Sequence, residues 1–275
     1  MTGAPPLPES GTPHLVIEDR GDDVLLATLN RPEAKNAVSF EMWQGLARLL
    51  DYLESGTPAR ALVIDGAGGF FSIGGDLKIP PARGRGALAL AARLEWGQRV
   101  IARLRRLPVP VIAAIEGGAY GVGWSLAMAC DLLFASTSAR FAAPFVDLGL
   151  APDGGAAWFF CRQLGRARAA ELLFSGRTIE APEAAALGLL SRTCEPGTAT
   201  RTALAFAAGI GKGNRHAVEL TKRLLHAAEG GDLESTHALE LAYCAALQDG
   251  DELKRAREAF VKSRAGAANA RSRGA

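Results

Sequence analysis

Cysteine is scarce: four residues in 275, at positions 130, 161, 194 and 244, with no CxxC pair among them. That excludes a disulfide scaffold and a cysteine-rich zinc module, and leaves reduced core thiols of a cytoplasmic protein as the expectation. The four histidines show no ligand spacing, so no zinc or other metal site is expected. Charge of one sign is missing too. Lys and Arg total 31 against 29 Asp and Glu, a net +2, and the basic residues are scattered, so no nucleic-acid or membrane partner is implied. The opening MTGAPPLPESGTP is polar and proline-rich, without the basic-then-apolar order of a secretion signal. There is no fixed-period repeat, and neither GxGxxG nor GxxxxGKS occurs.

What is present is ample material for a core. Apolar residues make up 48% of the chain, enough for one large domain or a domain with a helical appendage. The chemistry concentrates between Val109 and Asp131, VPVIAAIEGGAYGVGWSLAMACD. Pro108 and Pro110 flank a short apolar run, Val111 to Ile115, which reads as a buried strand. Gly117, Gly118, Gly121 and Gly123 follow, and then an apolar, alanine-rich helical segment from Trp124 to Cys130. Glycines let a ligand approach the main chain, and the first amides of a helix lack intrahelical partners. A strand, glycine turn and helix in that order suit an anion or a developing oxyanion. Glu116, the prolines and the glycines argue against a membrane span. GWSLA around Ser125 falls one residue short of a GxSxG nucleophile elbow and lies nine residues past the strand, which disfavours a serine hydrolase.

Residues 1–13 have the composition of a disordered tail. LVIE and VLLATL form a hairpin turning at Arg20 to Asp23. Ser39 is placed to cap a helix over 40–54, whose apolar stripe is Met42, Trp43, Leu46, Leu49, Leu50 and Leu53. A strand at 61–65 leads to a second glycine turn, FFSIGGDLK, residues 70–78. A breaker-rich loop at 80–86 precedes a helix over 88–107. Strands are expected at 132–135, 139–143 and 189–194, with helices after residue 155, at 166–174 and from Pro182 to Gly188. Helices over 198–210, 215–228, 232–247 and 251–263 fill the rest, with a basic disordered tail after Ala265. The pattern is an α/β core, residues 14–197, followed by a helical C-terminal region, 198–264, and a tail, 265–275.

NRPEAKNA, FSIGGDLK, VIAAIEGGAYGVGWSLAMACD and LGLAPDGG, in this order and spacing, resemble the crotonase superfamily, also called the enoyl-CoA hydratase/isomerase family, over about Leu15 to Arg264. The resemblance implies a spiral of ββα units with a C-terminal helical region used in trimerisation. It implies an acyl-CoA thioester as substrate, no cofactor beyond that coenzyme A, and a homotrimer or dimer of trimers. By motif, the oxyanion-hole amides would be those of Gly75 and Val122, with Gly74 beside the substrate. Val122 stands where the family usually has a glycine. Lys78 matches a lysine that contacts CoA phosphates; Arg83, Arg85, Lys262 and Arg264 are weaker candidates for the same task. The two hydratase glutamates are replaced by Ser125 and Phe145, so ordinary two-glutamate hydration is disfavoured. Asp153, in GLAPDGG, resembles the aspartate of dienoyl-CoA and ring-opening isomerase branches, although an aspartate before a helix is also a common N-cap. Phe145, Trp124 and Trp158 would form an apolar acyl pocket and raise the Asp153 pKa. Asp76 reads as a cap after the glycines, and Asp147 as a solvated residue. The expected activity is double-bond isomerisation through Asp153; the alternatives are an enoyl-CoA hydratase-like enzyme of fatty-acid metabolism and an acyl-CoA binding or hydrolysing protein.

Overall fold

The computed structural model describes residues 5–78, 91–210 and 214–248, with a few helical positions beyond. The chain divides into two compact units, Met1–Gly211 and Lys212–Ala275. The first begins with the hairpin: β1 (Leu15–Asp19) pairs antiparallel with β2 (Val24–Leu29), Leu15 opposite Leu29. Asp22 and Asp23 close it at φ 53° and 59°, a left-handed conformation that aspartate tolerates better than most residues. Parallel pairing then adds β3 (Ala61–Gly66), β4 (Val111–Ile115), β6 (Leu132–Ser136) and β9 (Arg192–Cys194), giving the order β1-β2-β3-β4-β6-β9. All five residues of β4 are buried, as expected for a central parallel strand covered on both faces. A smaller sheet joins β5 (Gly118–Tyr120), β7 (Arg140–Ala142) and β8 (Thr178–Glu180).

Helix α1 (Phe40–Glu54) starts where the Ser39 hydroxyl accepts the Met42 amide at 3.2 Å, and its apolar stripe is buried as the spacing requires. Helix α2 (Ala92–Arg106) packs on α1; the positions 88–90 expected at its start lie outside the described residues. Helix α3 (Val122–Met128) begins two residues earlier than its apolar run suggests, because Gly118–Tyr120 is strand β5 rather than turn. Helices α4 (Ala156–Leu164) and α5 (Arg166–Ser175) pack on one another, α4 also against α3, and α6 (Ala181–Ala186) packs on the second sheet.

Two boundaries move. Helix α7 (Ala199–Ile210) belongs to the first unit and not to a separate C-terminal region. Ala199, Ala203 and Ala207, four apart, lie flat on Ala61, Val63, Ile112, Ala114 and Phe134 of the sheet. Its start is tied down as the Glu116 carboxylate accepts the Ala199 amide at 2.9 Å and Asp65 accepts the Thr200 hydroxyl at 2.8 Å. Residues 5–13 also depart from the disorder their composition suggests: Arg48 donates to the Ser10 carbonyl at 2.6 Å, tying the segment to α1. In the second unit, α8 (Arg215–Ala228) and α9 (Leu233–Gln248) pack on one another. The expected helix over 251–263 is described at only a few positions, and the tail after 265 lies outside the described residues.

Candidate active site

The two glycine turns are stitched together by backbone. The Ser72 amide donates to the Gly118 carbonyl at 3.2 Å, and the Tyr120 amide returns to the Ser72 carbonyl at 2.9 Å. Gly74, at φ 105°, passes so close to Tyr120 that a Cβ would sit 2.8 Å from its carbonyl oxygen, so only glycine fits. On the far side the Val38 amide donates to the Gly74 carbonyl at 2.8 Å and the Asp76 amide to the Val38 carbonyl at 3.2 Å. This parallel bridge uses the residues on either side of Gly75 and turns the Gly75 N–H away from Val38. A Cβ built on Gly75 would come 3.9 Å from Val122 Cγ1, so the two residues are neighbours. Val122 is the first residue of α3, and among the described residues neither its amide nor that of Gly75 has a hydrogen-bond partner.

Asp153 arrives from the loop before α4. Its carbonyl accepts the Ser125 hydroxyl at 3.0 Å and the Ala156 amide at 3.0 Å. Gly154, at φ 59°, packs so tightly that a Cβ would lie 2.8 Å from both Ser125 Cβ and Val122 Cγ2. The carboxyl does not cap the helix: Gly155 is the N-cap, and no side chain bonds there. Asp153 Oδ1 is buried without a hydrogen-bond partner among the described residues. Burial pushes the carboxyl up to about 6, against an opposing pull from the Arg93 charge.

Gly75, Val122 and Asp153 line one cavity with an empty volume of about 310 Å³, part of it open to solvent. Val38 and Trp43 give it apolar walls, and α2 contributes Arg93, Leu94 and Gly97. Among the described residues, Asp153 is the single carboxylate lining it.

A sequence profile of the enoyl-CoA hydratase/isomerase family matches residues 19–267. The chain belongs to this family. A short-chain-enoyl-CoA hydratase from Clostridium acetobutylicum is 31% identical over 254 residues, 90% of this chain and 95% of the relative. A 1,2-epoxyphenylacetyl-CoA isomerase from Escherichia coli is 34% identical over 223 residues, 80% of this chain and 85% of the relative. Among solved structures, a protein from Thermobifida fusca YX in complex with CoA superposes with a TM-score of 0.79 at 32% identity, covering 90% of this chain and 97% of its own. The α/β fold with its helical C-terminal region is therefore the crotonase fold.

Within this family frame, several expected site residues stand elsewhere. Trp124 is 1% exposed and packs into the core against Phe160, ring centroids 4.6 Å apart, and Phe141. Trp158 is 43% exposed, stacked under Arg105 at 4.4 Å on the outer face of α4. Phe145 is buried, with a ring carbon 3.9 Å from a Cβ built on Gly121; it supports the turn and does not line the cavity. Ser125 is fully buried and acts as a donor to the Asp153 backbone. Lys78 is exposed and does not line the cavity; its amide donates to Asp76 Oδ1 at 3.0 Å. Asp76 caps this turn, as the sequence suggests, by accepting the Lys78 amide, and pairs with Arg31 at 2.8 Å. Arg83, Arg85, Lys262 and Arg264 lie outside the described residues.

Sequence reasoning missed Trp43, Arg93 and Gly97 as cavity residues. Gly97 carried a signal, a glycine inside a helix. A Cβ there would meet the Trp43 ring at 3.2 Å, so the glycine lets α2 close on α1 and brings the indole to the cavity. Among the described residues, no group of His, Cys, Asp and Glu is arranged to hold a metal, and no helix is long and apolar enough to cross a membrane.

Proposed function

We propose that the protein is an acyl-CoA isomerase that shifts a double bond with one carboxylate. The observation that carries this reading is that Gly75, Val122 and Asp153 line one cavity, the first two with amides that have no partner among the described residues. The thioester oxygen lies between those two N–H groups. Asp153 takes a proton from an acyl carbon, the C–H electron pair moves into the conjugated system, and negative charge develops on the thioester oxygen. The same carboxyl then returns the proton to a second carbon, leaving the double bond moved and the enzyme unchanged. Each amide donor supports the charged state; losing one costs about 3 kcal/mol of transition-state stabilisation. A carboxyl near 6 populates both its base and its acid forms around neutral pH, which suits a group that must take and return a proton.

Hydration fits less well. Adding water across the double bond recruits a second carboxylate, and the positions that the motif resemblance matches to the hydratase glutamates are Ser125 and Phe145, both buried. The CoA held in the Thermobifida structure supports an acyl-CoA substrate; the relatives' names include both hydratase and isomerase and leave the choice to the carboxylate count of the site. The assembly we expect is a homotrimer or a dimer of trimers, and the compartment the cytoplasm.

The test is turnover of a panel of 2-enoyl- and 3-enoyl-CoA esters by wild type and Asp153→Asn. Positional isomers formed by wild type and lost in the variant, with binding of a saturated acyl-CoA retained, are expected. A 3-hydroxyacyl-CoA product from wild type would make the enzyme a hydratase, and undiminished isomerisation by the variant would remove Asp153 from the mechanism.

A further inference from the structure

Among the described residues Arg93 is the one cationic side chain lining the cavity. Its Nη1 donates to the Asp76 carbonyl, and its Nη2 lies 3.8 Å from the position a Gly75 Cβ would take. The guanidinium therefore flanks the Gly75 turn on the cavity side. Helix α2 delivers it there: Arg93 and Gly97 are four residues apart and share a face, so the contact of Gly97 with Trp43 also swings Arg93 over the cavity.

Isomerisation moves one negative charge. It starts on Asp153, and once the C–H bond breaks it resides on the thioester oxygen beside Gly75. Arg93 lines the same cavity as Asp153, whose carboxyl its charge reaches, and its Nη2 flanks Gly75. We propose that Arg93 is the fixed counter-ion for the charge that Asp153 and the thioester oxygen exchange. The inference rests on the isomerase reading and adds a residue that reading does not use. With the cation in place, the cavity holds one positive and one negative charge before and after proton transfer. Without it, an isolated anion must be carried in a partly desolvated space, where electrostatic interactions are stronger than in water.

The neighbouring charges are otherwise engaged. The Asp76 carboxylate accepts Arg31 at 2.8 Å and the Lys78 amide at 3.0 Å, and Arg93 takes the Asp76 carbonyl instead. Glu95, on the same helix, pairs with Arg99 at 2.6 Å. From α3 the Asp153 loop meets the neutral Ser125 hydroxyl and the Val122 side chain, and from α1 the cavity receives the Trp43 ring. The Arg93 charge lowers the carboxyl pKa of Asp153 against the larger, opposing effect of burial.

The experiment compares wild type, Arg93→Met and Arg93→Lys as the full chain, with three readouts. The first is kcat and KM for double-bond migration. The second is the Asp153 carboxyl titration without substrate, read by infrared difference spectroscopy against Asp153→Asn. The third is calorimetric affinity for a saturated acyl-CoA. In Arg93→Met we expect kcat to fall about 10- to 100-fold, less than for loss of an amide in direct contact. KM and saturated-ester affinity stay near wild type, and the Asp153 titration midpoint rises above about 6. Arg93→Lys restores part of both losses. A midpoint that does not move in Arg93→Met overturns the proposal. So does weakened ester affinity with kcat intact, which would make Arg93 a ligand for the CoA phosphates. Wild type that binds acyl-CoA without shifting a double bond sinks the isomerase reading, and with it the counter-ion role in turnover. The substrate-free titration would still report whether Arg93 and Asp153 are coupled. If Arg93→Met does not fold, Arg93→Gln and Arg93→Lys carry the same three measurements.

Discussion

The Ser125 hydroxyl donates to the backbone carbonyl of Asp153 at 3.0 Å, so a residue of α3 holds the carboxylate loop by its main chain. By motif this position matches a glutamate of the family's hydratases; under the proposed mechanism its role here is to position the Asp153 base. Ser125→Ala removes that anchor while leaving the Ala156 amide on the same carbonyl. The expected outcome is a stability loss of about 1 kcal/mol in urea denaturation, with a several-fold drop in kcat. Unchanged kcat in a measurably destabilised Ser125→Ala variant would reduce the contact to packing.

Asp153 itself carries a stability cost. An unperturbed aspartate titrates at 3.8, whereas burial pushes this one up to about 6. The folded chain therefore holds the proton more tightly than the unfolded chain does. This group favours the fold most below 3.8, and that contribution is lost as pH rises through about 6. The difference between those two values corresponds to about 3 kcal/mol at neutral pH, as an upper figure. Asp153→Asn should melt above wild type at pH 7.5, and the gap should close toward pH 4. An equal gap at both pH values would contradict the assignment of a raised pKa.

The Arg31–Asp76 pair is largely covered, with side-chain exposures of 14% and 7%. Arg31 Nη1 also donates to the Ala37 carbonyl at 2.8 Å, so the pair ties the NRPEAKNA loop to the turn that presents Gly75. Asp76→Ala leaves a mostly covered guanidinium with only the Ala37 carbonyl and a distant Glu33 at 3.9 Å, which costs about 2–3 kcal/mol. It also loosens the turn, so we expect kcat to fall more than saturated-ester binding. Equilibrium denaturation and calorimetry on one preparation check both halves.

Gly154→Ala tests how tightly the Asp153 loop is fitted against Val122 and Ser125. The residue sits at φ 59°, and the added methyl would overlap Ser125 Cβ and Val122 Cγ2 at 2.8 Å. Backbone strain amounts to about 1 kcal/mol or more before any clash is counted. Activity should fall at least tenfold, as expected when reacting groups are displaced by about 1 Å. Wild-type kcat would show that the loop adjusts freely.

Local signals were legible in the chain. The hairpin, the Ser39 cap and the α1 stripe follow from turn residues, a hydroxyl and a helical period, each readable within a few neighbours. The glycine turns and Asp153 were legible through motif spacing. Which way an aromatic faces was not. All seven residues of α3 are buried, so nothing in the sequence distinguishes the side of Trp124 that meets the core from a side that would meet a ligand. Trp158 follows an apolar run into α4 yet lies on the outer face, its ring covered by arginine instead of acyl chain. Strand β8 has three residues, too few to show a period. Arg93 opens a helix rich in arginine, and only the approach of α2 to α1 separates it from its solvated neighbours.

Val122 and Ser125 are successive turns of one seven-residue helix. The amide proposed to receive charge and the hydroxyl that holds the Asp153 carbonyl thus share a single mount. Because Ser125 holds the Asp153 carbonyl and Gly154 packs on Val122, displacement of that mount acts on the Val122 amide and the Asp153 loop together. A protein built this way can tolerate substitutions in its outer layers with little effect on the alignment of the reaction, and is vulnerable at the short rod itself.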